Sequence, residues 1–274
     1  MKVNLRGPCC MEAFLYRPAS VSRDGMKNPF ARKAPTPAIP DGKRIYAIGD
    51  IHGMAGLLDR LLEKIAVDLE GYVGKSRIIF LGDYIDRGPD SAQVVERLCA
   101  GPGPCDKWTF LKGNHDAFLS SLLREEQPKM REYRNWIEQG GAEAMQSWGI
   151  RRGLIHGDDP QTAMKALAEA MPEAHRKFFR KLKLSKTIGD YMFVHAGVRP
   201  HVSLEKQREK DLIWIREDFL NHRKSFGPHI VHGHTISNGL DSQKFRTGVD
   251  TGAYKTNRLT ALVLEGTDRR SIST

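Results

Sequence analysis

The sequence predicts an α/β fold: a parallel sheet with crossover helices, a helical insertion, and a second, more antiparallel sheet. Three observations carry that expectation. Polar residues closing successive strand-like runs recur at one strand–helix–strand interval, 33 residues from Asp50 to Asp83 and 31 from Asp83 to Asn114. Residues 116–185 then read as helical and charged. Four strand-like runs follow, with no helix-length segment between the last three.

Taken in order, residues 1–42 hold six prolines and no sustained periodicity, ending in "APTPAIPDG". They are expected to be a disordered basic leader, since such a segment buries too little apolar surface to offset its ordering entropy. Met26 is a second candidate start. From Lys43 to residue 274 the pattern is that of one domain. "RIYAIGD" reads as a strand that stops at a glycine. "AGLLDRLLEKIAVDLE" places Leu57, Leu58, Leu61, Leu62, Ile65 and Leu69 at helical spacing. "SRIIFLGD" is the next strand, "DSAQVVERLCA" a helix with Asp90 as N-cap, and "KWTFLKGN" the third strand. The insertion comprises "DAFLSSLLREE", "MREYRNWIEQGG" and "QTAMKALAEAMPEAHRKFFRKL"; its Trp136 and Trp148 read as packing. "DYMFVHAG", "PHIVHGHT", "SQKFRTGVDTGA" and "RLTALVLEG" complete the core.

Of the 274 residues, 40% are apolar and 28% charged, ordinary for a soluble domain. Residues 1–44 carry nine basic side chains against three acidic ones, much of the net charge of +10. That excess lacks interleaved aromatics, so no specific nucleic-acid partner is expected. No run approaches the ~18 apolar residues of a membrane span. "CCMEAFLY" is too short for a signal peptide and contains Glu12. No membrane partner is expected, and a cytoplasmic location is. Cys9, Cys10, Cys99 and Cys105 form no C-x-x-C pair, which agrees with reduced thiols.

The chemistry lies at five strand ends: "GDIHG", "GDYIDRG", "GNHD", "HAGV" and "HGHT". In open α/β folds, ligands bind outside the carboxyl ends of the strands. Asp50, His52, Asp83, Asn114, His195 and His234 mix hard oxygen donors with imidazoles. Six such donors exceed one tetrahedral site and suit two divalent ions of higher coordination. A pair ~3.5–4 Å apart needs a bridging carboxylate and favours in-line displacement at phosphorus. Asp83 is the expected bridge, Asp86 is free to orient a histidine, and Arg87 can clamp a phosphoryl group. The absence of thiolate donors favours Mn²⁺, with Fe or Zn²⁺ as alternatives.

The ordered set GDxHG, GDxxDRG, GNHD, HAG and GH resembles metallophosphoesterases of the phosphoprotein phosphatase (PPP) type, with the calcineurin-like fold, especially bacterial and bacteriophage serine/threonine phosphatases. "LIWIRE" and "GVDTGA" extend the likeness, which covers nearly everything after the leader. The resemblance implies a four-layer α/β/β/α sandwich of two mixed sheets flanked by helices. It implies that Asp50, His52 and Asp83 hold one metal, and Asp83, Asn114, His195 and His234 the other, with a bridging hydroxide attacking in line. His115 would then be the general acid and Asp86 its partner, with Arg87, Arg216 and Asn114 on the phosphate. Asp116 stands where eukaryotic members have Glu. Of the two histidines in "HGHT", His234 follows glycine as the family's ligand does, and His232 reads as core.

Three functions compete. A protein serine/threonine phosphatase of broad specificity leads, acting on phosphoproteins or small phosphoesters. A symmetrical diadenosine tetraphosphate hydrolase shares the motifs, but in that branch the position of Asp86 typically carries a residue unable to partner the histidine. A non-catalytic phosphoprotein-binding regulator would lack ligands, and here the set is complete.

Overall fold

The computed structural model describes residues 36–124 and 128–274. Its first sheet runs β10-β9-β1-β2-β3. β1 (Lys43–Ile48), β2 (Lys75–Phe80) and β3 (Lys107–Phe110) are parallel, with Ile48 opposite Phe80 and Phe80 opposite Phe110. β9 (Thr260–Glu265) and β10 (Asp268–Ser273) add an antiparallel edge. The crossovers are α1 (Ala55–Asp68) and α2 (Ser91–Cys99). α1 buries Leu57, Leu58, Leu61, Leu62 and Ile65, as its spacing requires. Asp90 sits at the N-cap of α2, but its carboxylate caps nothing.

The second sheet runs β4-β5-β6-β8-β7, from β4 (Ser185–Ile188), β5 (Tyr191–Val194), β6 (His229–His232), β7 (Asp241–Ser242) and β8 (Arg246–Gly248). The expectation of a more antiparallel sheet is corrected here. Its centre, β5-β6-β8, is parallel, and only the edges β4 and β7 are antiparallel. The connection from β5 to β6 is made by two short helices, α9 (Glu209–Trp214) and α10 (Glu217–Leu220), which carry no long periodic signal.

Three apolar clusters define the interfaces between four layers. Tyr46, Ile48, Ile78 and Phe80 face α1 and α2. Ile45, Ala47, Ile79 and Leu81 face Tyr191, Phe193 and Val231 between the sheets. Met192, Val194 and Ile230 cover Leu212, Ile213 and Phe219 of α9 and α10.

Helices α3 (Asn114–Leu122), α4 (Met130–Trp136), α5 (Ala142–Ser147), α6 (Arg152–Ile155), α7 (Pro160–Ala170) and α8 (Glu173–Arg180) form the insertion. A π-helical turn, Ile137–Gly141, joins α4 to α5. Trp148 packs here, its Nε1 donating to His175 Nδ1 at 3.0 Å. Cys99 and Cys105 are free thiols.

The boundary of the leader also moves. Residues 1–35 lie outside the described residues, but residues 36–42 belong to the domain. Ile39 is 1% exposed in the inter-sheet core, and its N–H donates to Gly266 O at 2.7 Å. A single isoleucine among prolines gives no periodic signal, so its burial was invisible in the sequence.

Candidate active site

The loops after β1, β2, β5 and β6 and the first turn of α3 converge at one end of the sandwich. Among the described residues seven non-glycine residues have positive φ, and five of them lie here: His52, Asp83, Asp86, Arg87 and His234. Backbone strain of this kind persists only where its surroundings enforce it, and it concentrates at functional sites. The neighbouring glycines explain how the loops come so close. A Cβ on Gly113 would lie 2.0 Å from Asp83 Oδ1, and one on Gly233 would lie 2.3 Å from Asp50 Oδ1.

Asp50, His52, Asp83, Asn114, His115, His195 and His234 are all buried. Asp83 is central. Its Oδ2 lies 3.4 Å from His195 Nε2 and 3.6 Å from His52 Nε2, and its Oδ1 accepts from the N–H of His115 at 3.0 Å. Two backbone carbonyls set the imidazole tautomers. His52 Nδ1 donates to Ile85 O at 2.8 Å, and His195 Nδ1 to Leu81 O at 2.9 Å. Each Nε2 therefore turns a lone pair toward the Asp83 carboxylate.

The second cluster repeats this pattern. His195 Nε2 lies 3.0 Å from Asn114 Oδ1 and 3.2 Å from His234 Nδ1. His234 Nε2 is buried without a hydrogen-bond partner among the described residues. Facing acceptors buried together repel unless a cation lies between them, so this donor set fits divalent metals. The donor atoms of His52, Asp83 and His115, and those of Asp83, His195 and His234, each lie within 4.8 Å of one another. Burial lowers His52 to about 3 and His234 to about 2, which favours the neutral, ligating imidazole.

His115 differs from the other imidazoles. Burial works against its charged form, but Asp83 and Asp86 outweigh it and hold the pKa above the ordinary histidine value. Its Nδ1 donates to Asp86 Oδ2 at 2.6 Å, and its Nε2 lies 3.1 Å from Arg87 Nη2. Arg216 reaches the rim, with Nη1 3.4 Å from His234 O. His232 stays apart, between Phe219 and Arg246.

Four contributors escaped the sequence reading. Tyr254 accepts a 2.6 Å hydrogen bond from Arg87 Nη1 and lies under its guanidinium, 4.7 Å from the ring centroid. Trp136 Nε1 donates to Asp86 Oδ2 at 2.9 Å. Asp116 accepts from the N–H groups of Asp83, Tyr84 and Gly113, bracing two loops together. Asp250 packs against Asp50; burial is the first cause that raises both carboxylates, with mutual repulsion adding to Asp50. Tyr254 and Asp250 fall in or beside "GVDTGA", the one signal that could have found them; Asp116 ends "GNHD" without matching a ligand pattern, and Trp136 lies in the insertion away from every motif.

The family model for calcineurin-like phosphoesterases matches residues 43–259. The chain belongs to this family. It is a metallophosphoesterase, a hydrolase whose buried His and Asp groups imply divalent metals. This metallophosphoesterase is 25% identical over 225 residues to serine/threonine-protein phosphatase 1 of Salmonella typhimurium, a match covering 80% of this chain and 90% of that protein. It is 28% identical over 158 residues to the symmetrical bis(5'-nucleosyl)-tetraphosphatase of Methylococcus capsulatus, covering 57% of this chain and 44% of that one. The corresponding enzyme of Dechloromonas aromatica is 30% identical over 164 residues, 60% of this chain and 47% of the relative. The chain thus spans less than half the length of these tetraphosphatases. A crystal structure assigned provisionally as a diadenosine tetraphosphatase superposes with a TM-score of 0.57 at 22% identity, covering 85% of this chain and 94% of that one. That likeness concerns the fold. No helix of the described residues is long and apolar enough to cross a membrane.

Proposed function

We propose that this metallophosphoesterase hydrolyses phosphate monoesters, chiefly phosphoserine and phosphothreonine in proteins, and accepts aryl phosphates as well. The observation that carries this reading is the 2.6 Å contact between His115 Nδ1 and Asp86 Oδ2. A serine alkoxide is a poor leaving group and needs a proton as its bond to phosphorus breaks. His115, oriented by Asp86, is the proton donor. Arg87 Nη2 stands beside His115 Nε2, so a phosphoryl oxygen that engages the guanidinium frees Nε2 for the leaving oxygen. Arg87, tethered by Tyr254, grips the phosphoryl group from one side, Arg216 from the rim, and Asn114 assists.

Asp50, His52 and Asp83 would hold one divalent ion, and Asp83, Asn114, His195 and His234 another. Bound there, such ions supply Lewis acidity, lowering the pKa of water and offsetting phosphoryl charge. Mn²⁺ is the proposed ion, with Fe and Zn²⁺ as alternatives, because the donors are oxygen and imidazole without thiolate.

A second reading, symmetrical cleavage of diadenosine tetraphosphate, is favoured by the relatives that carry that name. One assay separates the two. The Mn²⁺-supplied protein is offered a phosphoserine peptide, p-nitrophenyl phosphate and diadenosine tetraphosphate at matched concentrations. The monoesters are expected to be preferred by roughly ten-fold or more in kcat/KM. The reverse order transfers the function to the second reading.

A further inference from the structure

The helical insertion reaches into the acid–base pair at two points. Trp136, at the end of α4, is 1% exposed, and its Nε1 donates at 2.9 Å to the same Asp86 oxygen that accepts from His115 Nδ1. The other carboxylate oxygen, Asp86 Oδ1, is buried without a hydrogen-bond partner among the described residues. Among the described residues the carboxylate is therefore held by two donors, one of which is the group it has to orient. Four residues on, the π-helical turn brings Gly140 O to the N–H of Arg87 at 3.1 Å. Asp86 and Arg87 are successive residues at φ 71° and 70°, so the turn clamps a strained pair. Gly140, itself at φ 106°, leaves no room for a side chain: a Cβ would lie 2.3 Å from Arg87 N. A Cβ on Gly141 would lie 2.5 Å from the Trp136 ring. The sequence "WIEQGG" is thus shaped to seat one indole N–H and one carbonyl on consecutive residues of the catalytic loop.

We propose that Trp136 is a positioning residue, fixing the Asp86 carboxylate so that His115 is aimed at the leaving oxygen. This rests on the reading of His115 as proton donor. Remove the indole N–H, and Asp86 can rotate with its histidine.

The test is the dependence of rate on the leaving group. Trp136→Phe deletes the donor and keeps an aromatic ring in the pocket, though a smaller one. Its kcat is expected to fall roughly ten-fold on a phosphoserine peptide and less than about two-fold on p-nitrophenyl phosphate, whose leaving group needs little protonation, with KM and metal content unchanged. On the Asp86→Asn background the same change is expected to cost nothing further. Equal losses on the two substrates, or additive losses on that background, overturn the role of Trp136. His115→Asn is run beside it. Should His115→Asn slow both substrates equally, the donor reading falls and this proposal with it. Should it show the selective loss while Trp136→Phe does not, only the proposal falls.

A different observation carries a second inference. At the opposite end of the sandwich, β1, β2 and β3 begin with cations on the inter-sheet face. Lys43 precedes buried Ile45, Lys75 and Arg77 precede Ile79, and Lys107 precedes Thr109, all in the inward phase. Lys43 is the register partner of Lys75, and Arg77 that of Lys107, so like charges stand opposite each other. Such pairs destabilise a sheet. With Lys186 of β4 they line a cavity of about 670 Å³ whose one carboxylate, Asp106, already accepts from the N–H and hydroxyl of Ser76. Among the described residues none of the five cations has a carboxylate within 4.0 Å. We infer that this cavity binds a small polyphosphate anion, free or carried on a nucleoside, at ~25 Å from the crevice given the rise along a strand.

Inorganic tripolyphosphate, titrated calorimetrically into the chelator-treated full chain, is the probe, with adenosine triphosphate as the second arm. Binding is expected to weaken at least ten-fold in Lys75→Ala/Lys107→Ala and to be unaffected by Lys64→Ala. Tighter binding of the nucleotide assigns the nucleoside form, and equal binding the free anion. Unchanged binding in the double variant overturns the site. So does binding lost only on Arg87→Ala, or binding of nucleic acid with none of polyphosphate.

Discussion

His115 Nδ1 and Asp86 Oδ2 lie 2.6 Å apart, with Asp86 wholly removed from solvent. An imidazole so held has one nitrogen tied and the other, Nε2, aimed in one fixed direction, which is the requirement for protonating a leaving oxygen once Arg87 has turned to the phosphoryl group. His115→Asn removes the proton and keeps the polarity. Turnover of a phosphoserine peptide is expected to drop by roughly 10²–10⁴-fold while bound metal, measured by elemental analysis, stays near the wild-type level. A fully active variant removes His115 from the reaction.

Asp83 is shared by both donor clusters. Asp83→Asn withdraws the one negative charge common to them. Elemental analysis is expected to find both ions depleted, and hydrolysis lost with them.

Tyr254 tethers Arg87 by one 2.6 Å hydrogen bond. A hydrogen bond to a charged group contributes about 1.5–3 kcal/mol, so Tyr254→Phe is expected to raise KM by roughly ten-fold or more with little change in kcat. A fall in kcat alone would show that the tether serves the chemical step instead.

Residues 36–42 pack on the domain, and truncations should find that boundary. Deleting 1–35 is expected to leave activity near wild type. Deleting 1–42 also removes buried Ile39, worth about 1.5–3 kcal/mol, and a lowered denaturation midpoint is the readout.

His229, buried in β6 away from the crevice, gives a pH dependence. Burial first, then the charge of Arg269, lowers its pKa from 6.5 to about 4. Above 6.5 both folded and unfolded chains carry it neutral, so it has no effect there. Between 6.5 and about 4 only the unfolded chain takes the proton, so its contribution to stability falls as pH falls. Thermal midpoints across that window are expected to decline, and less steeply in His229→Asn.

Much of the site could be read before the fold was known. Asp50, Asp83, Asn114 and His234 each follow a strand-like run and a glycine, and His52 and His195 lie within two residues of one, a local pattern. The first sheet was legible for the same reason, since α1 and α2 carry clear helical periods. The second sheet was misread because α9 and α10 are too short to show one. Trp136 read as packing because an indole N–H finds its acceptor only once the insertion is folded against the loop after β2. Tyr254, likewise, lies far along the chain from Arg87.

The residue types and their order along the chain were enough to determine the α/β class and the family, and to single out candidate donors at strand ends that the fold brings together. These depend on local spacing and on the chemistry of side chains. Which imidazole is turned by which carbonyl, what holds Asp86 and where Arg87 is anchored were decided only by the tertiary structure. Those contacts join segments far apart in the chain, at distances where a few tenths of an ångström separate a hydrogen bond from none.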